Sequence, residues 1–248
     1  MKRSSLLPWL ALAACVALRV NAADAPAASA TTVAAAEAVH FLGTGALDWK
    51  SILPPPPDVR SLAGLADLET VLQVQATRTP ADIAWAKLIE KDDVFADYGD
   101  VFGAWFTEKN LPVLADFLRQ VTADSHKVNK SVKDLYPRRR PPIVEPTVQP
   151  CVAIPKSNSY PSGHSFRAHL WAAVLGDVFT DQQVELAGCA HHVAWGRVIG
   201  GVHFPSDDVG GRIVAQATAA EMRQSPAYQA AVEKCRAEAA PFLRKKAA

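Results

Sequence analysis

Three short stretches of this 248-residue chain gather charged side chains, histidines and turn-forming residues: KDLYPRRRPP from Lys133 to Pro142, SYPSGHSF from Ser159 to Phe166, and GRVIGGVHFPSDD from Gly196 to Asp208. In the second, Ser162 is a good helix N-cap and Gly163 lets backbone come close to a ligand. The free N–H groups and partial positive charge of a helix start make a natural anion site, although on these residues alone an ordinary helix start with a capping or packed His164 is the preferred reading. In the first stretch Lys133 and Arg140 stand seven apart, with Pro137 and Pro141 stiffening the path. Such a fixed pair offers an anion both a point charge and a planar fork; Arg138 and Arg139 read as solvated surface. In the third, Arg197 lies near the end of a helix that Gly200-Gly201 should break, His203 falls in the loop, and Ser206-Asp207-Asp208 open the next helix. A carboxylate at Asp207 can fix the imidazole tautomer of His203 and leave its other nitrogen free to attack. The alternative there is a capped helix start with an incidental histidine.

The elements that must position these residues read as helices. Ser61 precedes an apolar-periodic run through Leu62, Leu65, Leu68 and Val71-Leu72; Thr79-Pro80 and Ser225-Pro226 each place a cap before a proline at the first helical position. Helical spacing follows Ser162 through Phe166, Leu170, Val174 and Phe179. Thr180-Asp181-Gln182-Gln183 fits a capping box opening a helix that runs to Gly200-Gly201. Pro54 to Pro57 read as a stiff extended segment on the surface. Alternating strand patterns and Asn-Gly or Asp-Gly hairpin signals between apolar runs are absent, so the expected fold is all-α, one compact helical domain over residues 51–248.

Ahead of it, residues 1–22 carry a basic start at Lys2 and Arg3, an apolar run from Leu6 to Leu18, and small residues before a cut after Ala22. That is the pattern of a secretory signal peptide, and its run falls short of the roughly 20 residues of a spanning helix. A periplasmic or secreted protein without a transmembrane span is expected, with lipoprotein processing at Cys15 as the alternative. Residues 23–50 read as a flexible lead-in rich in Ala, Thr and Ser. Export would leave Cys151, Cys189 and Cys235, enough for one disulfide of open pairing. A net charge of +1 gives no reason to expect a nucleic-acid partner. No metal-binding motif is present: His191-His192 diverge on a helix, and His164 and His169 do not share a face.

Taken together the three stretches resemble the type-2 phosphatidic acid phosphatase (PAP2) superfamily, whose pattern is K-x6-R-P, then P-S-G-H, then S-R-x5-H-x3-D. The matches are Lys133 with Arg140-Pro141, then Pro161-Ser162-Gly163-His164, then Arg197 with His203 and Asp207; Gly196 stands where the family has serine. An exported chain of this length, with a Pro-rich segment and Lys-Asp-x-Tyr in its first motif, is most similar to the bacterial class A non-specific acid phosphatases. The resemblance implies a helical fold and hydrolysis of phosphomonoesters (nucleotides, sugar phosphates, aryl phosphates) without a cofactor. It implies His203 as nucleophile oriented by Asp207, His164 as proton donor, and Lys133, Arg140, Ser162, Gly163 and Arg197 as phosphate ligands. Related enzymes often associate, which leaves a homo-oligomer open. Two other readings stay beside it: a vanadium-dependent haloperoxidase, which shares the oxyanion pocket, and a non-catalytic exported protein that binds an oxyanion or polyanion.

Overall fold

A computed structural model describes residues 40–43 and 47–246, with side chains to residue 243. Eleven α-helices and two short 3-10 turns make up its regular structure, with no strand among the described residues. In chain order the helices are α1 (Trp49–Ile52), α2 (Leu62–Thr77), α3 (Pro80–Leu88), α4 (Val94–Asp97), α5 (Gly99–Phe102), α6 (Pro112–Lys133), α7 (Pro141–Val144), α8 (Gly163–Val178), α9 (Gln183–Ile199), α10 (Pro205–Met222) and α11 (Pro226–Lys246). Four of the expected starts are made as their residues suggest, the last at Ser225, whose hydroxyl accepts from Tyr228 N as α11 opens at Pro226. The Ser61 and Ser162 hydroxyls accept from Gly64 N and Ser165 N, and Thr79 and Asp82 close a reciprocal capping box. The expected box at Thr180 does not form. Thr180–Gln182 winds instead as a 3-10 turn, and α9 begins at Gln183 without a side-chain cap. Its other end falls where the glycines place it, with Gly201 at φ +74.

Helix α8 is the hub, packing on α9 and α10 more extensively than any other pair of elements. It is buried nearly all round, with Phe166, Leu170 and Val174 fully enclosed. Each such side chain contributes about 2 kcal/mol by its removal from water. Two glycines let α10 lie against the start of α8: a Cβ on Gly211 would stand 2.6 Å from Ser162 O, and one on Gly210 2.5 Å from the Tyr160 ring. That close approach brings the first turns of α8 and α10, and hence two of the motifs, into contact. The long α6 is amphipathic; it buries Leu114, Leu118, Val121, Val128 and Val132 and delivers Lys133 at its last residue.

The proline run is extended on the surface as expected. Tyr136 donates to Leu53 O at 3.0 Å and Tyr160 to Pro54 O at 2.7 Å, strapping it to the elements that carry the motifs. Of the segment expected as a lead-in, residues 40–43 and 47–50 are described, and they pack. Phe41 and Trp49 join the core, and Asp124 on α6 accepts from the backbone of His40 and Phe41. The packed body therefore reaches ahead of residue 51; the expected signal peptide and Cys15 lie outside the described residues. Cys151, Cys189 and Cys235 are all unpaired, so the structure holds no disulfide among them. Among the described residues, no helix is long and apolar enough to cross a membrane.

Candidate active site

All eight residues singled out in the sequence come to one place, where the end of α6, the 157–161 loop, the starts of α8 and α10 and the end of α9 converge. His203 lies in the loop between α9 and α10. Its Nδ1 is 3.0 Å from Asp207 Oδ2 and its Nε2 is 3.0 Å from Arg140 NH1. Asp207, fully buried, accepts further from Phe204 N at 2.9 Å, Ser159 Oγ at 2.5 Å and Arg138 NH1 at 2.8 Å. Burial alone would raise its pKa, but hydrogen bonding and charge from His203, with Arg138, hold it down at about 2. An ionised carboxylate accepts from the Nδ1–H tautomer of His203 and leaves Nε2 with its lone pair. Burial also lowers the His203 pKa to about 3, with Asp207 pulling the other way, so the ring is neutral above that.

The cations surround this pair. Lys133 donates to the carbonyls of Asn158, Ser159 and Pro161, the first at 2.8 Å and the last at 2.5 Å. Arg140 donates to the carbonyls of Ser157, Val202 and Asn158 as well as facing His203. Both therefore brace the loop leading into α8 while holding positive charge beneath it. Burial, with Arg140 beside it, lowers the Lys133 pKa to about 7, and burial lowers that of Arg140 to about 10. Arg197 differs from both. It is 1 % exposed, its Nε and NH1 have no hydrogen-bond partner, and its nearest carboxylate, Glu90, is 3.8 Å away. Buried guanidinium donors without an acceptor are costly, and these face the residues around His164, whose pKa Arg197 helps to lower.

Ser162 caps α8, and Gly163, its first residue, sits 3.2 Å from Asn129 Oδ1 as measured from where a Cβ would be. His164, next along, presents a buried Nε2 without a hydrogen bond, 3.5 Å from Asp92 Oδ1. Burial first, then Arg197, Arg167 and His203, depress its pKa to about 2. Of the other histidines, His192 stacks on Trp85 at 4.4 Å and His169 meets His191 edge-on at 4.9 Å.

Several participants were not singled out in the sequence, and one was misplaced. Arg138 is not surface: it bridges Asp207 and Asp67 at 2.8 Å each, bonds Ser206 Oγ, and lies 4.1 Å over the Phe204 ring. The signal was available in the stretch itself. Residues 138–140 are extended between prolines, and in extended chain alternate side chains share a face, so Arg138 goes in with Arg140 while Arg139 points out. Asp67, Ser159, Asp92 and Arg167 carry no such local mark. Gly196 is explained by packing: a Cβ there would lie 3.1 Å from Ile89 Cδ1 and 3.3 Å from Trp85 Nε1, so its place serves the seat of the Ile89–Lys91 turn on α9.

Fold and site thus define an all-helical domain that closes a buried His–Asp pair within a ring of cations and a helix start. A family model described as the PAP2 superfamily matches residues 117–230. The chain is 28 % identical over 241 residues to a non-specific acid phosphatase of Providencia stuartii, covering 94 % of this chain and 96 % of that one. It is 30 % identical over 196 residues to a non-specific acid phosphatase of Salmonella typhimurium, covering 75 % and 78 %. The chain belongs to the PAP2 superfamily, on the side of its non-specific acid phosphatases, and as such is a phosphatase. Among solved structures, that of a bacterial vanadium-dependent iodoperoxidase superposes with a TM-score of 0.51 at 18 % identity, over 70 % of this chain and 52 % of that one, a likeness of fold alone.

Proposed function

We propose that the protein hydrolyses phosphomonoesters, nucleotides, sugar phosphates and aryl phosphates among them, through a phosphohistidine at His203 and without a metal. The observation that carries this reading is the His203–Asp207 pair: an ionised buried carboxylate on Nδ1 and a neutral ring whose Nε2 faces the cations. Phosphoryl transfer asks chiefly for positioning and for stabilisation of charge on three equatorial oxygens. Arg197 and the open N–H groups at the start of α8 would take those oxygens, with Lys133 and Arg140 adding fixed charge behind them. A phosphate that draws the Arg140 guanidinium onto itself uncovers the Nε2 lone pair. Nε2 then bonds to phosphorus as the ester P–O bond breaks, and His164, which takes up a proton at Nε2 when the bound phosphate raises its pKa, gives that proton to the departing alcohol oxygen. Water, losing a proton back to His164, attacks phosphorus and releases phosphate and His203.

The cations and the helix start together supply the positive charge that a metal brings to other phosphatases, which is why the reading calls for none. Its test is turnover of p-nitrophenyl phosphate by purified protein in excess chelator, with vanadate as inhibitor. Activity lost to the chelator and regained only with a metal overturns the metal-free mechanism. Export with removal of residues 1–22 belongs to the same proposal and is checked by the mass of the secreted chain, which should begin at Ala23.

A further inference from the structure

Asp92 belongs to none of the three motifs, yet it reaches the nitrogen that the mechanism uses. It follows the Ile89–Lys91 turn with a left-handed backbone, φ +50. One carboxyl oxygen lies 3.5 Å from His164 Nε2, and the other accepts from Arg167 NH2. His164 and Arg167 are three apart on the first turn of α8 and share a face of it. The same aspartate, its side chain 31 % exposed, lines a cavity of about 510 Å3 together with Lys91, Phe95, Arg119, His126 and Trp171. None of the eight residues placed in the site lines it, His164 included. Asp92 is therefore the link between the proton donor and that cavity.

A leaving oxygen must come within hydrogen-bond reach of His164 Nε2, about 3 Å. The carbon skeleton behind it then passes the Asp92 carboxylate, 3.5 Å from that nitrogen. An ionised carboxylate only accepts hydrogen bonds. A skeleton with a hydroxyl beside the ester oxygen supplies a donor, an aliphatic one strips water from the charge and returns nothing, and an anionic one is repelled. The Phe95 and Trp171 rings give the cavity apolar wall, and its charged groups give it polar edges, the mixture that suits a ring or chain bearing hydroxyls. Resting on the phosphatase mechanism above, we propose that Asp92 is a specificity-determining residue. It selects phosphomonoesters of neutral, polyhydroxylated alcohols over those of aliphatic or anionic ones, and the cavity holds the leaving group.

The experiment compares glycerol 2-phosphate with isopropyl phosphate, which share the branched carbon and differ in the hydroxyls flanking it. The protein should favour the first in kcat/KM by about tenfold or more, the worth of one hydrogen bond to a charged acceptor. Asp92→Gly, which removes the carboxyl and suits the positive φ, should bring that ratio close to one. Asp92→Asn, which keeps an acceptor oxygen and tolerates the left-handed backbone, should keep part of it. A ratio near one in the unaltered protein, or a ratio unchanged in Asp92→Gly while both rates fall together, overturns the proposal, because a merely structural role lowers both substrates alike. Turnover of p-nitrophenyl phosphate is read first. Its absence overturns the phosphatase reading and this one with it; turnover with a flat ratio overturns this one alone.

Discussion

The two histidines of the site sit in opposite kinds of surroundings. Around His203 every polar atom has a partner: both ring nitrogens face one, and Asp207 gathers four donors, three of them side chains. Around His164 several buried polar atoms lack a partner. Its Nε2, the Arg197 Nε and NH1, the Arg167 Nε and both carboxyl oxygens of Asp208 have no hydrogen-bond partner. Burial first, then neighbouring Asp207, holds the Asp208 carboxyl well above the usual carboxylate range. The lesson is a division of labour. In the proposed mechanism the side that attacks is held by a closed network, which fixes tautomer and direction, while the side that would receive oxyanion and leaving group keeps its donors uncommitted.

The comparison breaks first at the nucleophile. His203→Ala should remove phosphoenzyme labelling and lower kcat by roughly 10³-fold or more; labelling that persists in rapidly quenched samples would place the nucleophile elsewhere. On the other side, His164→Asn should cost on the order of 10²–10⁴-fold with alkyl phosphates and much less with p-nitrophenyl phosphate, whose leaving group needs little help from an acid. Equal losses on both substrates would remove His164 from proton donation.

Stability probes the closed network directly. Arg138→Met leaves Asp67 and Asp207 buried with one cation fewer, and unfolding in urea should show a loss of about 3–5 kcal/mol. The exposed neighbour Arg139→Met should stay within about 0.5 kcal/mol. Similar values for the two would mean that Arg138 is not structural.

Protons sharpen the contrast further. His164 and His203 are both depressed, to about 2 and about 3. Their unfolded forms titrate near 6.5, so their contribution to stability is full above that pH and is lost as pH falls toward those lower values. The urea midpoint should drop between pH 7 and pH 4. A bound phosphate-like anion places negative charge beside His164 and raises its pKa, so vanadate binding at pH 5–6 should take up protons, read as a buffer-dependent enthalpy in calorimetry. Proton release would contradict the assignment. The smallest effect belongs to Gly196→Ser, whose added atoms press on the flexible end of Ile89; a loss of about 1 kcal/mol is expected, with kcat little changed.

Much of this was legible without coordinates, for identifiable reasons. Caps at Ser61, Thr79 and Ser162 are local devices, each closed within three residues, and local devices can be read from a sequence. Helical periodicity and the missing strand patterns likewise point to an all-α chain. Arg138 was read wrongly because a basic run is usually a solvated face, and the carboxylate that buries it, Asp67, lies 71 residues upstream. Asp92 carried no mark, since its partner Arg167 is 75 residues away and the cavity it borders exists only in three dimensions.

What the sequence determined by itself is therefore the set of candidate reacting side chains and the elements that present them. Motif spacing, caps and breaking glycines act over a few residues, where covalent geometry and backbone hydrogen bonding leave few choices. Tertiary structure decided which groups are charged and which are committed. Arg138 turned inward to neutralise Asp207, Lys133 and Arg140 took the loop carbonyls, and Arg197 kept its donors. Charge state and partnership depend on burial and on contacts between distant segments, and those arise only when α6, α8, α9 and α10 close around one another.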